Sequence, residues 1–509
     1  MCAMIESLEI QRVDESASRD AGNIEQGKRT REIYTFFHHF KQRLPLSEVV
    51  EELLLLGKTA FPLLMTTLLF SSKQIISMLF FGRLGNIELA GGSLAIAFAN
   101  VTGYSVMKGL SLAMDPICCQ AYGAKRWSVL GQMYLKTFIL LVCASVPISL
   151  LWLNVEYVFL RLGQDRVITK VAKVYLMFSI PELLAHAHLH PLRSFLRTQS
   201  LNSPATIVAT CTTILHLPIT YLFVTYLKLG VKGIALSSVC YVFNMNVGLL
   251  IYIAMSKVAL KPWVGATVIS TFQGWGPLLG LAIPSMCSVC LEWWWYEIVL
   301  FLGGLLNDPQ STVAAVGVLI QTIGVIYVVP STLNVSISQR VGHELGAGEA
   351  HRAQRAAIIG ITIALGYGLT AFCLTFMLRS VWGKIYTNDR ETLALIATAL
   401  PIIGLAEVGN SPQTAACGVL VGSARPKVGV RINLTAFYLI GLPLAVTLAF
   451  VLNFGFWGLW WGLVAAEYAC VAMMLYTVYQ TDWKHQAKRA EELSTLAAGE
   501  EDVVTNLVA

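Results

Sequence analysis

Residues 284–307 read PSMCSVCLEWWWYEIVLFLGGLLN, a run long and apolar enough to cross a bilayer that still carries two carboxylates, Glu292 and Glu297. A charged side chain at the middle of a membrane helix costs about 2.5–3.5 kcal/mol on insertion scales, so such residues face a bundle interior or a water-filled cavity. Five residues at about 100° each set the two glutamates about 140° apart, too far to share one helix face. Glu297 stands one turn from Trp293 and Trp294, and Glu292 one turn from Trp295 and Tyr296. This pattern assigns the cavity to Glu297. Glu292 has an equal claim to pair with a Lys or Arg of a neighbouring helix.

Hydrophobic residues make up 56% of the 509, charged residues only 13%, and the mean hydropathy is +0.64, the balance of a polytopic membrane protein and not of a soluble domain. The formal net charge of +6 is modest and gives no reason to expect nucleic acid as a partner. The eleven cysteines keep no framework spacing, and most fall within apolar runs, where they read as small buried residues. No metal set, cofactor loop or nucleophile–base pair stands out, which argues against an enzyme.

Apolar runs of about 20 residues place twelve helices near 53–80, 89–113, 129–153, 168–187, 205–227, 233–256, 277–303, 312–336, 356–379, 392–418, 432–452 and 455–478. Lys and Arg concentrate in the connections that share a side with both termini, with Lys125, Arg126, Arg193, Arg197 and Arg340 counted among them, so the termini read as cytosolic. The chain also repeats itself. Gln120-Ala-Tyr-Gly123 is answered in the second half by His343-Glu-Leu-Gly346, and Leu217-Pro218 recurs at nearly the same offset as Leu442-Pro443. Six helices separate the copies, an even number, so the halves run the same way through the membrane as a parallel repeat. The fold class is therefore all-α: a polytopic membrane protein of twelve transmembrane helices in two six-helix lobes. The expected boundaries are a cytosolic tail at 1–50, lobes at 51–256 and 277–480 joined by a linker at 257–276, and a cytosolic tail at 481–509.

In the tenth span, Glu407, Asn410 and Thr414 recur at i, i+3 and i+7 with Gln413 beside them, a polar stripe that either joins helices or lines a wet cavity; the acid favours the cavity. Lys58 and Lys73 read as snorkelling side chains, Asp115 as a helix-end anchor, and His186, His188 and His190 as core or interface histidines, since their alternating spacing offers a metal no common face.

The segments Gly82-RLGNIELAGGSLA, Gly109-LSLAMDPICCQAYGAKRW, Cys290-LEWWWYE, Gln339-RVGHELGAG and Gln413-TAACGVLVGSARPK resemble the signature segments of plant-type, DETOXIFICATION-type multidrug and toxic compound extrusion (MATE) transporters. The resemblance spans all twelve helices. It implies export of organic solutes (hormone-like or phenolic acids, secondary metabolites or xenobiotics) by proton antiport with alternating access, in the plasma membrane or an endomembrane such as the vacuole or late endosome. It implies no cofactor, and a chain working as a monomer with protons, small organic solutes and the bilayer as its partners. By position, the family's seventh-helix proton-linked glutamate falls on Glu297, and the tenth-helix acid falls on Asn410, with Glu407 one turn away to replace it. Glu297, Glu407 and Glu292 are thus the candidate proton-coupling residues, and Trp293, Trp294, Tyr296, Asn410, Gln413 and Thr414 the candidate substrate contacts. A non-transporting or facilitator-type sensor and a lipid-linked substrate flippase remain the alternatives.

Overall fold

The computed structural model describes residues 46–260, 274–306, 309–387 and 389–498. Most of the expected N-terminal tail, residues 261–273 of the expected linker and the end of the C-terminal tail lie outside them. The described chain is helical: α1 (Leu46–Leu84), α2 (Ile87–Gly123), α3 (Trp127–Leu153), α4 (Arg166–Thr198), α5 (Ser203–Tyr226), α6 (Val231–Met255), α7 (Gly276–Gly303), α8 (Pro309–Gly346), α9 (Ala350–Leu378), α10 (Arg390–Gly422), α11 (Pro426–Val451), α12 (Phe456–Tyr479) and α13 (Trp483–Ala498). Among the described residues, eleven of these are long and apolar enough to cross a membrane. The exception among the first twelve is α4, which carries Lys170, Lys173, Glu182, Arg193, Arg197 and three histidines.

Several helices outrun their apolar windows. The window near 168–187 ends where the histidines begin, but α4 continues to Thr198, because its polar residues find partners inside the bundle. Arg193 and Arg197 are therefore helical and interior, and not the loop charges that the positive-side reading makes of them. Arg340 likewise lies within a helix, α8, which runs past the expected window to Gly346. α2 is interrupted at Leu112 and Ala113, because Pro116 has no N–H to offer the Leu112 carbonyl.

The internal repeat is visible in detail. α4 and α10 are each 33 residues long, begin at an arginine, Arg166 and Arg390, and are each capped by an aspartate: Asp165 accepts from the Val167 and Ile168 amides, and Asp389 from that of Thr392. Each is the polar helix at the middle of its half, with α4 against α2, α3 and α6, and α10 against α8, α9 and α12.

The halves meet through the duplicated motif itself. The Gln120 side chain donates to the Gly422 carbonyl at the end of α10 (2.9 Å), and His343 Nε2 donates to the Thr198 carbonyl at the end of α4 (2.8 Å). Gly123 and Gly346 lie against the opposite helix so closely that a Cβ on either would overlap the carbonyl oxygen of His343 or of Gln120, respectively. These reciprocal contacts describe a pseudo-twofold axis between the halves, and they shut the space between α2 and α8 at this end. α13 lies across the same end, where Arg126 donates to Thr495 and Arg489 donates to the Ala424 carbonyl (3.3 Å).

Overpacking a filled site costs about 1–3 kcal/mol. Gly346→Val is therefore expected to lower the thermal midpoint of the purified protein by several degrees. Gly366→Ala, where an added Cβ meets nothing within 4 Å, is expected to leave it unchanged. Equal midpoints for the two variants would refute the closure.

Candidate functional site

A cavity of about 470 Å³ lies between the two repeats. Its first-repeat wall is built by α1, α2 and α4 and is charged. Lys73 of α1 forms an ion pair with Glu182 of α4, and His186 Nε2 lies 3.6 Å from the same carboxylate. Arg197 pairs with Asp115 of α2, which also accepts from the Ser194 hydroxyl. His186 and His190, one turn apart, stack at 5.2 Å. Lys108 of α2 points across the cavity and rests over the Trp293 ring of α7, 5.0 Å from its centroid, and Arg193 rests over Phe70 at 4.4 Å.

The second-repeat wall is nearly uncharged. α7 supplies Ser288, Glu292 and Trp293, α8 supplies Tyr327 and Asn334, and α10 supplies Cys417 and Val421. With the first residues of α4 and α10 aligned, Cys417 and Val421 take the places of Arg193 and Arg197 of the first repeat. One copy of the duplication thus presents guanidinium groups where the other presents a thiol and an isopropyl group.

The two seventh-helix glutamates separate as their spacing requires, with the assignments exchanged. Glu292 shares the inner face with Ser285, Ser288 and Val289 and lines the cavity, within hydrogen-bonding reach of Tyr327. Glu297 does not line it; it is exposed on a stripe with Trp294 and Phe301. The reason is rotational: the buried face of α7 is set by Trp295, fully enclosed against Phe437, and by Val299, and that choice turns position 297 outward. Trp294, 42% exposed, leaves the cavity with it.

The α10 stripe is present and is buried among the helices of the second repeat. Asn410 Nδ2 donates to both Glu407 oxygens (3.1 and 3.2 Å), and the Thr414 hydroxyl donates to Asn410 Oδ1 (3.1 Å) and to Gln413 Oε1 (3.2 Å). All four residues are buried, and none lines the central cavity. Tyr296 lies within the electrostatic reach of Glu407, Glu292 and a third carboxylate, Glu467 of α12. Glu467 is absent from the candidates that the sequence supplies. Its signal was available: a lone acid near the middle of a 24-residue apolar helix. Its Oε2 has no hydrogen-bond partner among the described residues, and the residue is 2% exposed beside Gly409 of α10. Lys73 is not a snorkelling side chain, nor Asp115 a helix-end anchor, since each pairs with a charge on α4 that spacing along one helix cannot reveal. His188 is a packed histidine, bonded to Tyr134 (2.7 Å) and Asn246 (2.9 Å).

A cavity of this kind between parallel six-helix repeats defines a membrane transporter of the two-lobed class. The MatE family model matches the chain twice, over residues 62–222 and 284–447, once in each repeat. The chain belongs to this family of multidrug and toxic compound extrusion transporters. It is 57% identical to Protein DETOXIFICATION 53 of Arabidopsis thaliana over 451 residues, 89% of this chain and 93% of that one. It is 48% identical to Protein DETOXIFICATION 49 of the same organism over 459 residues, 90% and 91% of the two chains. The crystal structure of the eukaryotic MATE transporter AtDTX14 superimposes with a TM-score of 0.83 at 30% identity, covering 88% of this chain and all of that one. The Vibrio cholerae MATE transporter VcmN in the bent form shares the fold, at a TM-score of 0.75 and 17% identity over 88% and 100% of the chains.

Breaking a buried pair by removing one partner typically costs about 3–5 kcal/mol, whereas removing both costs far less. Glu182→Gln is expected to lower the thermal midpoint by several degrees, and the double variant Lys73→Met/Glu182→Gln to recover most of that loss. Additive losses would show that the pair is not coupled.

Proposed function

We propose that this protein exports organic solutes from the cytosol by proton antiport, the two repeats rocking about the central cavity to expose it to one side of the membrane and then the other. The observation that carries this reading is the separation of two kinds of site: a charged, aromatic cavity between the repeats, and behind its second wall a buried carboxylate cluster, Glu407 and Glu467, with no Lys or Arg within ion-pair distance among the described residues.

Glu407 is the proton carrier in this scheme. Asn410 offers N–H groups to both its oxygens, an arrangement suited to the carboxylate, and taking up a proton disturbs it. Because Gly368 of α9 and Gly409 of α10 bring neighbouring backbones into contact around Glu407, that change is felt as packing between α9, α10 and α12. Glu292 is the second candidate, at the cavity wall where solute and proton can compete. Trp293 offers the solute a flat apolar surface; Tyr296, Asn410, Gln413 and Thr414 act from behind the wall. The lobes divide at 257–276, both termini face the cytosol, and the chain works as a monomer in the plasma membrane or an endomembrane. An even number of crossings is consistent with that topology.

In proteoliposomes with an imposed pH gradient, solute flux is expected to follow the gradient in wild type and in Glu297→Gln, and to lose its gradient dependence in Glu407→Gln. Flux indifferent to the gradient in wild type would overturn antiport and leave a facilitator.

A further inference from the structure

The cavity contains a charge imbalance with a definite location. Four strong cations line it: Lys73, Lys108, Arg193 and Arg197. Two are neutralised, Lys73 by Glu182 and Arg197 by Asp115. Lys108 and Arg193 have no carboxylate within ion-pair distance among the described residues; each instead rests on an aromatic ring. Both line the same cavity, Lys108 from α2 and Arg193 from α4, and the segment of α2 that carries Lys108 packs against α4. Two like charges that share one half-enclosed cavity repel each other and lack full solvation. A fold keeps such a pair where something else supplies the anion.

We propose that Lys108 and Arg193 clamp the carboxylate of an amphipathic organic monoanion, and that Glu292 is the protein's own carboxylate competing for the same clamp. The proposal deepens the transporter reading and rests on it for the cavity's being a solute path. Arg193 supplies a planar fork that matches a carboxylate, and Lys108 a mobile point charge. The apolar body of the ligand has Trp293, Tyr104 and Phe70 to lie against. The volume, about 470 Å³, is that of a small drug-sized solute. Repeat symmetry restricts the clamp to one wall, since the register partner of Arg193 is Cys417. On the facing wall, Glu292 directly precedes Trp293, on whose ring Lys108 rests, and shares the field of that lysine. With no solute bound, Lys108 is drawn toward Glu292. A solute carboxylate displaces that attraction, and a second negative charge on the solute would meet Glu292 itself. Monoanions are thus favoured over dianions, amides and ammonium ions.

The test is equilibrium dialysis of the purified full chain in detergent, with no gradient, against 1-naphthylacetate, its amide, 1-naphthylmethylammonium and 1-naphthyl phosphate. The acid is expected to bind at least about tenfold more tightly than the other three, the scale of a charge-assisted contact. Lys108→Gln and Arg193→Gln should each bring acid binding to within about twofold of the amide, with Lys108→Arg retaining the preference. Unchanged amide affinity checks that these variants are folded. Glu292→Gln should tighten the acid several-fold and leave the amide alone, an effect that a merely structural glutamate would not produce. Amide or ammonium binding as tightly as the acid in wild type overturns the clamp without needing any variant. Tighter phosphate binding overturns the monoanion assignment, and an unaltered acid affinity in Glu292→Gln overturns the competition. Acid binding without flux in proteoliposomes would sink the transporter reading and leave the clamp standing; gradient-driven flux of the ammonium ion with no acid binding would do the reverse.

Discussion

The cost of a charge in hydrocarbon organises this molecule. Twelve long helices carry enough ionisable residues to make insertion prohibitive unless those residues turn inward and find partners. α4 states the constraint most sharply: it is too polar to stand alone in a bilayer, yet α2, α3 and α6 pack around it, Glu182 and Arg197 pair with Lys73 and Asp115, and Arg193 faces the cavity. Because the charges must meet something, they define the space between the repeats. The functional site is where the membrane forbids anything else.

Duplication provides the frame, and divergence between the copies provides the chemistry. The matched caps and lengths of α4 and α10 and the exchanged bonds of Gln120 and His343 are built alike in the two copies. Side chains on the inner stripes then differ: histidine and arginine in one copy, amide, hydroxyl and thiol in the other. One wall is charged, while behind the other Glu407 and Glu467 are buried, the carboxylates proposed to take up the proton. The glycines at 123 and 346 allow the copies to close against each other at one end without a side chain between them.

The helices, the parallel repeat and the polar positions of the seventh and tenth spans are legible in the sequence, because apolar length and motif spacing are local properties. Helical spacing shows that Glu292 and Glu297 face different ways but not which faces inward. That depends on Trp295 seating against Phe437 of α11, a contact between residues far apart in the chain. Arg193 and Arg197 look like the basic end of a span for the same reason: nothing local distinguishes a guanidinium at a membrane surface from one facing a cavity. Glu407, Asn410 and Thr414 are correctly grouped by helical period, but period alone does not distinguish a stripe that lines the central cavity from one buried behind its wall.

Rocking of the two repeats requires that they separate at the glycine contact when the cavity changes sides. The direct measurement is a spin-label distance between positions 203 and 351, exposed residues at that end of the two halves, in a background lacking Cys2 and the cysteines exposed among the described residues, Cys143, Cys211 and Cys373. Proton-driven rocking predicts two distance populations whose ratio shifts between acidic and alkaline pH in reconstituted protein, with the shift abolished in Glu407→Gln. A single distance, unchanged by pH, would contradict it.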